Sequence, residues 1–336
     1  MIDTLIIDKI SMTSSQLLEF ISNMFAMIHN NTLAFGGINV IVAGDLAQLP
    51  PVTGSSVFKS SVWKLFYPLF LHKPHRQQEQ SEFYDMLQNI RMGNITDETW
   101  DKLQRKHESF DPNKPIDLLL NTTNIVGYRE TADRINHLVC NVLPTTHDKF
   151  MISHAIDTIN GEQWNTSLTE RTFKSKTNLP PSVRLQQGAK VMYLNNSKSD
   201  LNIYNGTIGV ITDVSIESNL VRISFSVPNG IIDIDVKAEL NHFIINGNHA
   251  TRRQFPIQNC YALTVHKTQG LTLYYISVSL DDQMFSPGQA YTALSRCPNW
   301  DNVQIAALDR SAFKTDPDMI KEYERLELIA ASPLPI

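Results

Sequence analysis

No lysine follows a glycine anywhere in these 336 residues. That absence excludes the phosphate-cradling run G-x-x-x-x-G-K-[ST] from the sequence, because its lysine must stand directly after the last glycine. Cysteine is scarce: Cys140, Cys260 and Cys297 are scattered and form no C-x-x-C pair. A zinc site or a disulfide framework is therefore not expected, and a reducing compartment is. No apolar run approaches the roughly 20 residues that cross a bilayer. There is no basic excess either, since 29 Lys and Arg face 34 Asp and Glu, for a formal net charge of -5. Bulk charge announces no polyanionic partner, so a nucleic-acid site would have to be a local basic groove. The opening Met1-Ile2-Asp3 has no basic stretch leading into an apolar one, so no secretory signal is expected. Nucleus or cytoplasm is the expected location. The mitochondrion stays open, and neither secretion nor a membrane is expected.

What is present reads as α/β. The length allows two domains, each with its own core. Leu5-Ile6-Ile7-Asp8 is a short apolar strand ending in a carboxylate. Leu17, Leu18, Ile21, Met24, Phe25 and Ile28 then recur at helical spacing. Ile38 to Ala43 is a second buried strand running into Gly44-Asp45. Strand, helix, strand is the crossover unit of a parallel sheet. A further helix is expected around Phe83, Met86, Leu87 and Ile90. Leu118-Leu119-Leu120 predicts the start of another strand, with a helix through Ala132 and Ile135 after it.

From about Gly161 the helical spacing fades. Val221, Ile223 and Phe225 alternate with polar residues, as do Ile232, Ile234 and Val236, and Pro228-Asn229-Gly230 lies between the two runs. That pattern predicts a β-hairpin within a small antiparallel module inserted in the α/β framework. The α/β pattern resumes near Tyr261 and continues through Ile276 to Leu280. Asp316-Pro317 reads as the cap and first turn of a last helix through Ile320, Tyr323, Leu326 and Leu328.

Two runs carry the chemistry. Gly44-Asp45-Leu46-Ala47-Gln48-Leu49-Pro50-Pro51-Val52 turns sharply at a strand end. It projects Asp45 and Gln48 from a loop stiffened by two prolines. A side-chain amide held that way suits a terminal phosphate or its attacking water. The second run, Thr264, His266, Lys267, Thr268 and Gln269, follows an apolar strand and ends at Gly270. Hydroxyl, imidazole and ammonium donors suit phosphate oxygens. A structural histidine is the competing reading of His266. Arg252 and Arg253 read as a solvated charge pair.

These residues, with others in the same order, resemble the petite-integration-frequency (PIF) family of ATP-dependent DNA helicases, in the RecD-like branch of superfamily 1. The resemblance begins at Leu5-Ile6-Ile7-Asp8-Lys9-Ile10-Ser11-Met12, which is similar to the family's magnesium motif with lysine in place of its acid. It continues through Gly44 to Val52 and His75-Arg76-Gln77, where the family usually has an aromatic residue at position 75. It includes Val183 to Met192 and Asn205 to Val210. It ends with Tyr261 to Thr272 and Gly288 to Arg296.

The resemblance implies a fold of RecA-like parallel-sheet domains of a P-loop helicase. The first would be incomplete and a small antiparallel β-barrel module would be inserted. The expected organisation is a partial first motor domain over 1–105, the start of the second over 106–160, the module over 161–255, and the rest of the second domain with the C-terminal helix over 256–336. Truncation upstream of residue 1 is part of the same expectation. The resemblance also implies roles. Asp8, Gln48, Arg76 and Arg296 would be catalytic, the two arginines acting as arginine fingers. Asp45, Gln269 and Gly270 would join them in holding ATP, and Asp8 would hold magnesium where it is bound. Thr123, Asn124, Thr264, His266, Lys267 and Thr268 would contact single-stranded DNA. Asn136 also matches a family position, though helix-surface polarity explains it equally well. A protein partner stays open.

Two readings follow. One is an ATP-dependent 5′ to 3′ DNA helicase, present as a C-terminal fragment that is inactive alone. The other is a non-catalytic remnant of a mobile-element helicase that binds single-stranded nucleic acid or a protein partner. Lys9 weighs on both, since an ammonium cannot act as a general base and would compete with magnesium at Asp8.

Overall fold

The structure, a computed structural model, describes residues 2–113, 116–144, 149–173 and 175–332. They fall into two compact units. Unit 1 joins Met1–Pro112, Ile125–Gly127 and Thr268–Ile336, and unit 2 joins Asn113–Asn124 and Tyr128–Lys267.

The chain begins unit 1 with β1 (Thr4–Ile7), α1 (Ser15–Ile28) and β2 (Asn39–Val42). The strands pair in parallel from Thr4↔Asn39 to Ile7↔Val42, as the strand-helix-strand pattern predicts. The Ser14 hydroxyl caps α1 by accepting the Leu17 N–H. Only part of its apolar spacing faces inward. Leu18 and Phe25 are buried, while Leu17, Met24 and Ile28 are exposed. Leu18 packs with Ile10, Phe35, Val57, Trp63 and Leu326. Next come α2 (Ser81–Arg91) and α3 (Asp97–Glu108). Phe83, Met86, Leu87 and Ile90 form the buried stripe of α2.

Leu118-Leu119-Leu120 corrects one expectation, because these residues lie in a helix, α4 (Ile116–Asn121). Leucine is unbranched at Cβ and favours helix over strand. The Thr122 N–H and hydroxyl both donate to the Leu118 carbonyl and close the last turn. Leu119 and Leu120 pack against the core of unit 2. The strand starts later, where β-branched residues begin, as β3 (Thr123–Val126). Helix α5 (Arg129–Val142) follows.

The antiparallel strands of unit 2 are β4 (Phe150–His154), β5 (Ile156–Ile159), β6 (Glu162–Trp164), β7 (Ser182–Gln186), β8 (Lys190–Tyr193), β9 (Ile208–Ser215), β10 (Leu220–Val227), β11 (Gly230–Val236), β12 (Glu239–Ile245), β13 (Asn248–Gln254) and β14 (Ile257–Asn259), with α6 (Thr166–Phe173) after β6. They form a five-stranded sheet in the order β11-β10-β9-β8-β14, a four-stranded sheet in the order β12-β13-β5-β6, and the pair β4-β7. The expected hairpin is present, with Val221↔Val236, Ile223↔Ile234 and Phe225↔Ile232 opposed and Val227↔Gly230 closing the turn. Val221, Ile223 and Phe225 point into one core with Val191, Ile211, Phe255 and Tyr261.

Arg252 brings a second correction. Instead of a solvated residue it is 1% exposed. Its Nε and Nη2 grip the two Asp157 oxygens at 2.8 and 2.7 Å, and the Thr169 hydroxyl donates to the same carboxylate. Its guanidinium lies 5.4 Å from the Phe173 ring centroid. Arg253 remains exposed. Successive residues of a strand face opposite ways, so one arginine enters the core and its neighbour meets water.

After β15 (Ala262–Thr264) and α7 (Val265–Thr268) the chain returns to unit 1 with β16 (Ile276–Leu280), α8 (Gln289–Leu294), β17 (Val303–Leu308) and α9 (Pro317–Ala330). Strand β16 has β3 on one side and pairs in parallel with β17 on the other. The Asp316 carboxylate caps α9, with Pro317 in its first turn. Among the described residues no helix is long and apolar enough to cross a membrane.

Candidate functional site

Unit 1 gathers the residues expected around a nucleotide. Lys9, next to Asp8 at the end of β1, adopts a left-handed backbone with φ 54. Its N–H donates to Asp8 Oδ1 at 2.8 Å. Its side chain runs over Gly270, so that a Cβ at that glycine would stand 3.1 Å from Cε and 3.2 Å from Nζ. Gln269, one residue earlier, donates from Nε2 to Gln48 Oε1 at 3.4 Å. The Gln269 Oε1 is buried and has no hydrogen-bond partner.

Arg76 and Arg296 meet at Ser295. Arg76 donates from Nε to the Thr272 hydroxyl at 3.1 Å and from Nη1 to the Ser295 carbonyl at 3.2 Å. Arg296 donates from Nε to the Thr292 carbonyl and from Nη2 to the Ser295 hydroxyl. Arg296 is 2% exposed. Burial, and then the like charge of Arg76, pushes its pKa down to about 10, so it is still charged at neutral pH. Burial also lowers that of Arg76. Neither arginine has a carboxylate partner among the described ion pairs. A buried guanidinium without an anion, such as Arg296, is uncommon, and with the half-buried Arg76 beside it it makes a place where a tetrahedral oxyanion would be stabilised.

Asp45 is held differently. Arg91 grips its carboxylate, with Nε at 3.1 Å and Nη2 at 3.0 Å from Oδ1. The Tyr323 hydroxyl donates to Oδ1 at 2.7 Å and the Tyr291 hydroxyl to Oδ2 at 3.0 Å. Burial pushes the Asp45 pKa up, but the Arg91 charge and the hydrogen bonds outweigh it and hold the carboxyl below its usual range. The Arg91 guanidinium also lies 4.4 Å from the Tyr323 ring centroid. Both Asp45 oxygens are thus taken up inside the protein. Gln48 Nε2 approaches Oδ2 at 3.5 Å, so this cluster braces the loop that presents Gln48. Gly288 allows the close approach of α8 to that loop. Its φ is +76, and a Cβ there would meet the Ala47 and Gln48 carbonyl oxygens at 2.4 and 2.6 Å.

Sequence reasoning gave no role to Arg91, Tyr291, Tyr323, Thr272 or Gln77. Gln77 donates to the Ser295 and Cys297 carbonyls and fixes the segment that carries Arg296. Tyr291 lies inside a recognised run, but nothing local to it points at Asp45. His75 is exposed.

The residues expected on DNA divide between the units. Thr268 is fully buried in unit 1. In unit 2, Thr123 and Asn124 open β3 and are engaged internally. The Thr123 hydroxyl accepts from Lys190 Nζ, and Asn124 donates from both its backbone N–H and Nδ2 to the Tyr261 carbonyl. Asn136 also works within the unit, exchanging two hydrogen bonds with the Ala262 backbone. Met192 and Tyr193 are core residues, whereas Tyr204 is 46% exposed. Thr264 and Lys267 line a cavity of about 450 Å³ in unit 2, together with Arg129, His154 and Arg184. The Lys267 ammonium donates to Gln258 Oε1. Burial first, then Arg129, pushes its pKa down to about 8, against the pull of Asp133. Burial lowers that of His266 too.

Magnesium does not fit the donor set at Asp8. A hard cation needs several oxygen ligands, and Asp8 supplies one carboxylate, engaged at Oδ1 and followed by an ammonium. Among the described residues no three His, Cys, Asp or Glu side chains stand close enough to share a metal. A phosphate group does fit the two arginines, neither of which belongs to a described ion pair.

Residues 1–101 match the sequence profile of a family described as PIF1-like helicase. The human ATP-dependent DNA helicase PIF1 is 28% identical over 330 residues, which is 96% of this chain and 49% of that protein. The Pif1 helicase of Bdellovibrio bacteriovorus is 27% identical over 97% of the chain and 71% of its own length. The crystal structure of the Candida albicans Pif1 helicase superposes with a TM-score of 0.81 at 26% identity, covering 96% of this chain and 76% of that one. Over nearly its whole length the chain is similar to PIF1-like helicases.

A Bacteroides Pif1 helicase in complex with ADP-AlF3 and single-stranded DNA superposes with a TM-score of 0.75 at 25% identity, covering 97% of this chain and 76% of that one. Solved PIF1-like structures therefore share the mixed α/β fold described here. The chain spans about half the length of the animal PIF1-like relatives it matches.

Proposed function

We propose that these residues are the phosphate-sensing and strand-holding part of an ATP-dependent DNA helicase. The observation that carries the reading is the meeting of Arg76 and Arg296 at Ser295, with neither in an ion pair among the described residues. Residues 1–105 and 268–336, both within unit 1, supply the two walls of the cleft. Gln48 comes from one wall and Gln269 from the other, so a terminal phosphate between them would tie the walls together. Charge that gathers on a phosphoryl group in transfer is stabilised by planar guanidinium groups.

The sequence carries no Gly-Lys pair. The backbone cradle for the other phosphates therefore has to come from outside these residues, and the chain by itself does not turn over ATP. Single-stranded DNA is the polymer proposed for unit 2, where Lys267, Arg129 and Arg184 line the cavity and suit backbone phosphates. Relatives in this family have been solved with single-stranded DNA and with ADP-AlF3, which supports both halves of the reading.

Fluorescence anisotropy with a labelled single-stranded oligonucleotide tests it. Binding should weaken steeply as salt rises, and Lys267→Ala should flatten that dependence by about one phosphate contact. No binding at low ionic strength would sink the strand-holding reading. Phosphate release above a blank that disappears in Asp8→Ala would sink the claim of no turnover.

A further inference from the structure

We propose that Lys9 is an anion-binding residue. With Arg76 and Arg296 it forms a cradle for a tetrahedral oxyanion, held without a divalent metal and without hydrolysis. This rests on the phosphate-sensing reading of the same cleft, and it assigns that cleft a regulation: retention of phosphate in place of turnover.

The geometry joins the three cations through one short segment. Lys9 Nζ lies 3.2 Å from the Cβ position of Gly270, and two residues on, the Thr272 hydroxyl accepts from Arg76. Arg76 in turn shares Ser295 with Arg296. Consecutive Cα atoms are about 3.8 Å apart, so Gly270 and Thr272 lie within roughly 8 Å. None of the three cations belongs to a described ion pair. The acids nearby are engaged elsewhere. Asp45 is taken up by Arg91 and two tyrosines, and Asp8 accepts the backbone N–H of Lys9.

The Lys9 backbone supports the same assignment. A non-glycine residue with φ 54 is uncommon, and such a conformation persists where the surroundings enforce it. Here it turns the side chain onto a glycine whose missing Cβ leaves room for the ammonium. The Gln269 Oε1, buried and unpartnered beside Gly270, can accept from a protonated oxyanion oxygen. An ammonium cannot accept a proton, so the cradle has charge to hold a phosphate and no base to activate water against it.

Orthophosphate and the terminal phosphate of a nucleotide share this chemistry. The test is titration calorimetry on the whole chain in EDTA, with orthophosphate and ATP as separate probes and chloride at matched ionic strength as control. Parent protein should bind at least one phosphate probe without metal. Lys9→Ala should weaken binding roughly tenfold or more, and Lys9→Arg should stay within about threefold. Orthophosphate binding that competes with ATP assigns the terminal phosphate as the group held. Lys9-dependent binding of ATP alone assigns the nucleotide as the source. Lys9→Ala binding as tightly as parent, while Arg76→Ala loses binding, would overturn the Lys9 assignment and leave the cleft reading standing. A parent protein that binds neither probe would overturn both. Lys9 is exposed, and matched thermal melts of the variants separate loss of binding from loss of fold.

Discussion

The Tyr323 hydroxyl donates to Asp45 Oδ1 at 2.7 Å and accepts the Leu46 N–H at 2.9 Å. One side chain of the last helix thus holds both the carboxylate and the backbone of the loop that presents Gln48. The ring of Tyr323 also packs with Ala47 and Met319. Tyr323→Phe keeps that packing and removes both hydrogen bonds. It should lower stability by about 1.5–3 kcal/mol, the range for a buried hydrogen bond to a charged group. Urea unfolding should show a lower midpoint with an unchanged slope. An unchanged midpoint would mean that the cluster does not brace the loop.

Asp45 sets an acid limit. Its folded pKa is lowered, so protons bind more tightly to the unfolded chain than to the folded one. The resulting stability is complete above the unfolded value of about 3.9 and is lost as pH falls through the lowered folded value. The unfolding midpoint of the parent should therefore drop below about pH 4. Asp45→Asn should be less stable at neutral pH, and its curve should be flatter in that acid window. Parallel acid limbs for the two proteins would assign the acid sensitivity to other carboxylates.

Lys267 places a second titration near physiological pH. Burial and Arg129 bring its pKa down to about 8, so the charged fraction falls as pH rises from 7 to 9. If the ammonium meets a DNA phosphate, affinity for single-stranded DNA should decline over that interval. Lys267→Arg stays charged and should bind almost independently of pH there. Anisotropy titrations at pH 7, 8 and 9 distinguish the two. Identical pH profiles for parent and variant would exclude Lys267 from the contact.

The Arg252–Asp157 pair supports unit 2. Both side chains are almost fully buried, and removing one member leaves a charge without its partner. Arg252→Ala should cost about 3–5 kcal/mol. Paired replacement of Arg252 and Asp157 by Met and Leu should cost much less, because no buried charge is then left alone. Thermal melts of the three proteins measure the difference. Equal losses in the single and paired variants would place the cost in packing with Phe173 rather than in charge.

The helices α1, α2 and α9 and the β10–β11 hairpin could be read from sequence because they depend on local rules. Apolar spacing marks the buried stripe of α2, Asp316-Pro317 marks the start of α9, and alternation marks the hairpin faces. The Leu118–Leu120 run predicted a strand and is a helix, because a short apolar stretch suits either element. Packing of Leu119 and Leu120 on the core decided for helix.

The site was legible in part. Gln48, Arg76, Gln269 and Arg296 stood in ordered runs, and unit 1 brings them together. Their mutual distances had no local signal, since Arg76 and Ser295 are 219 residues apart. Asp45, Thr123, Asn124 and Asn136 look alike in sequence whether they face a ligand or the interior. Hydrogen bonds to Arg91, Lys190, Tyr261 and Ala262 show which way each is engaged.

By itself the sequence determined the kinds of element outside the Leu118–Leu120 run, the order of the motifs, the absence of a Gly-Lys pair and the cation at position 9. Each of these is a property of residues adjacent along the chain or a few positions apart. Only the tertiary structure decided which charges are neutralised. It gave Asp45 and Arg252 their partners and, among the described residues, left Lys9, Arg76 and Arg296 outside any ion pair. Charge pairing acts through space over a few ångströms, and the partners come from segments that only folding brings that close.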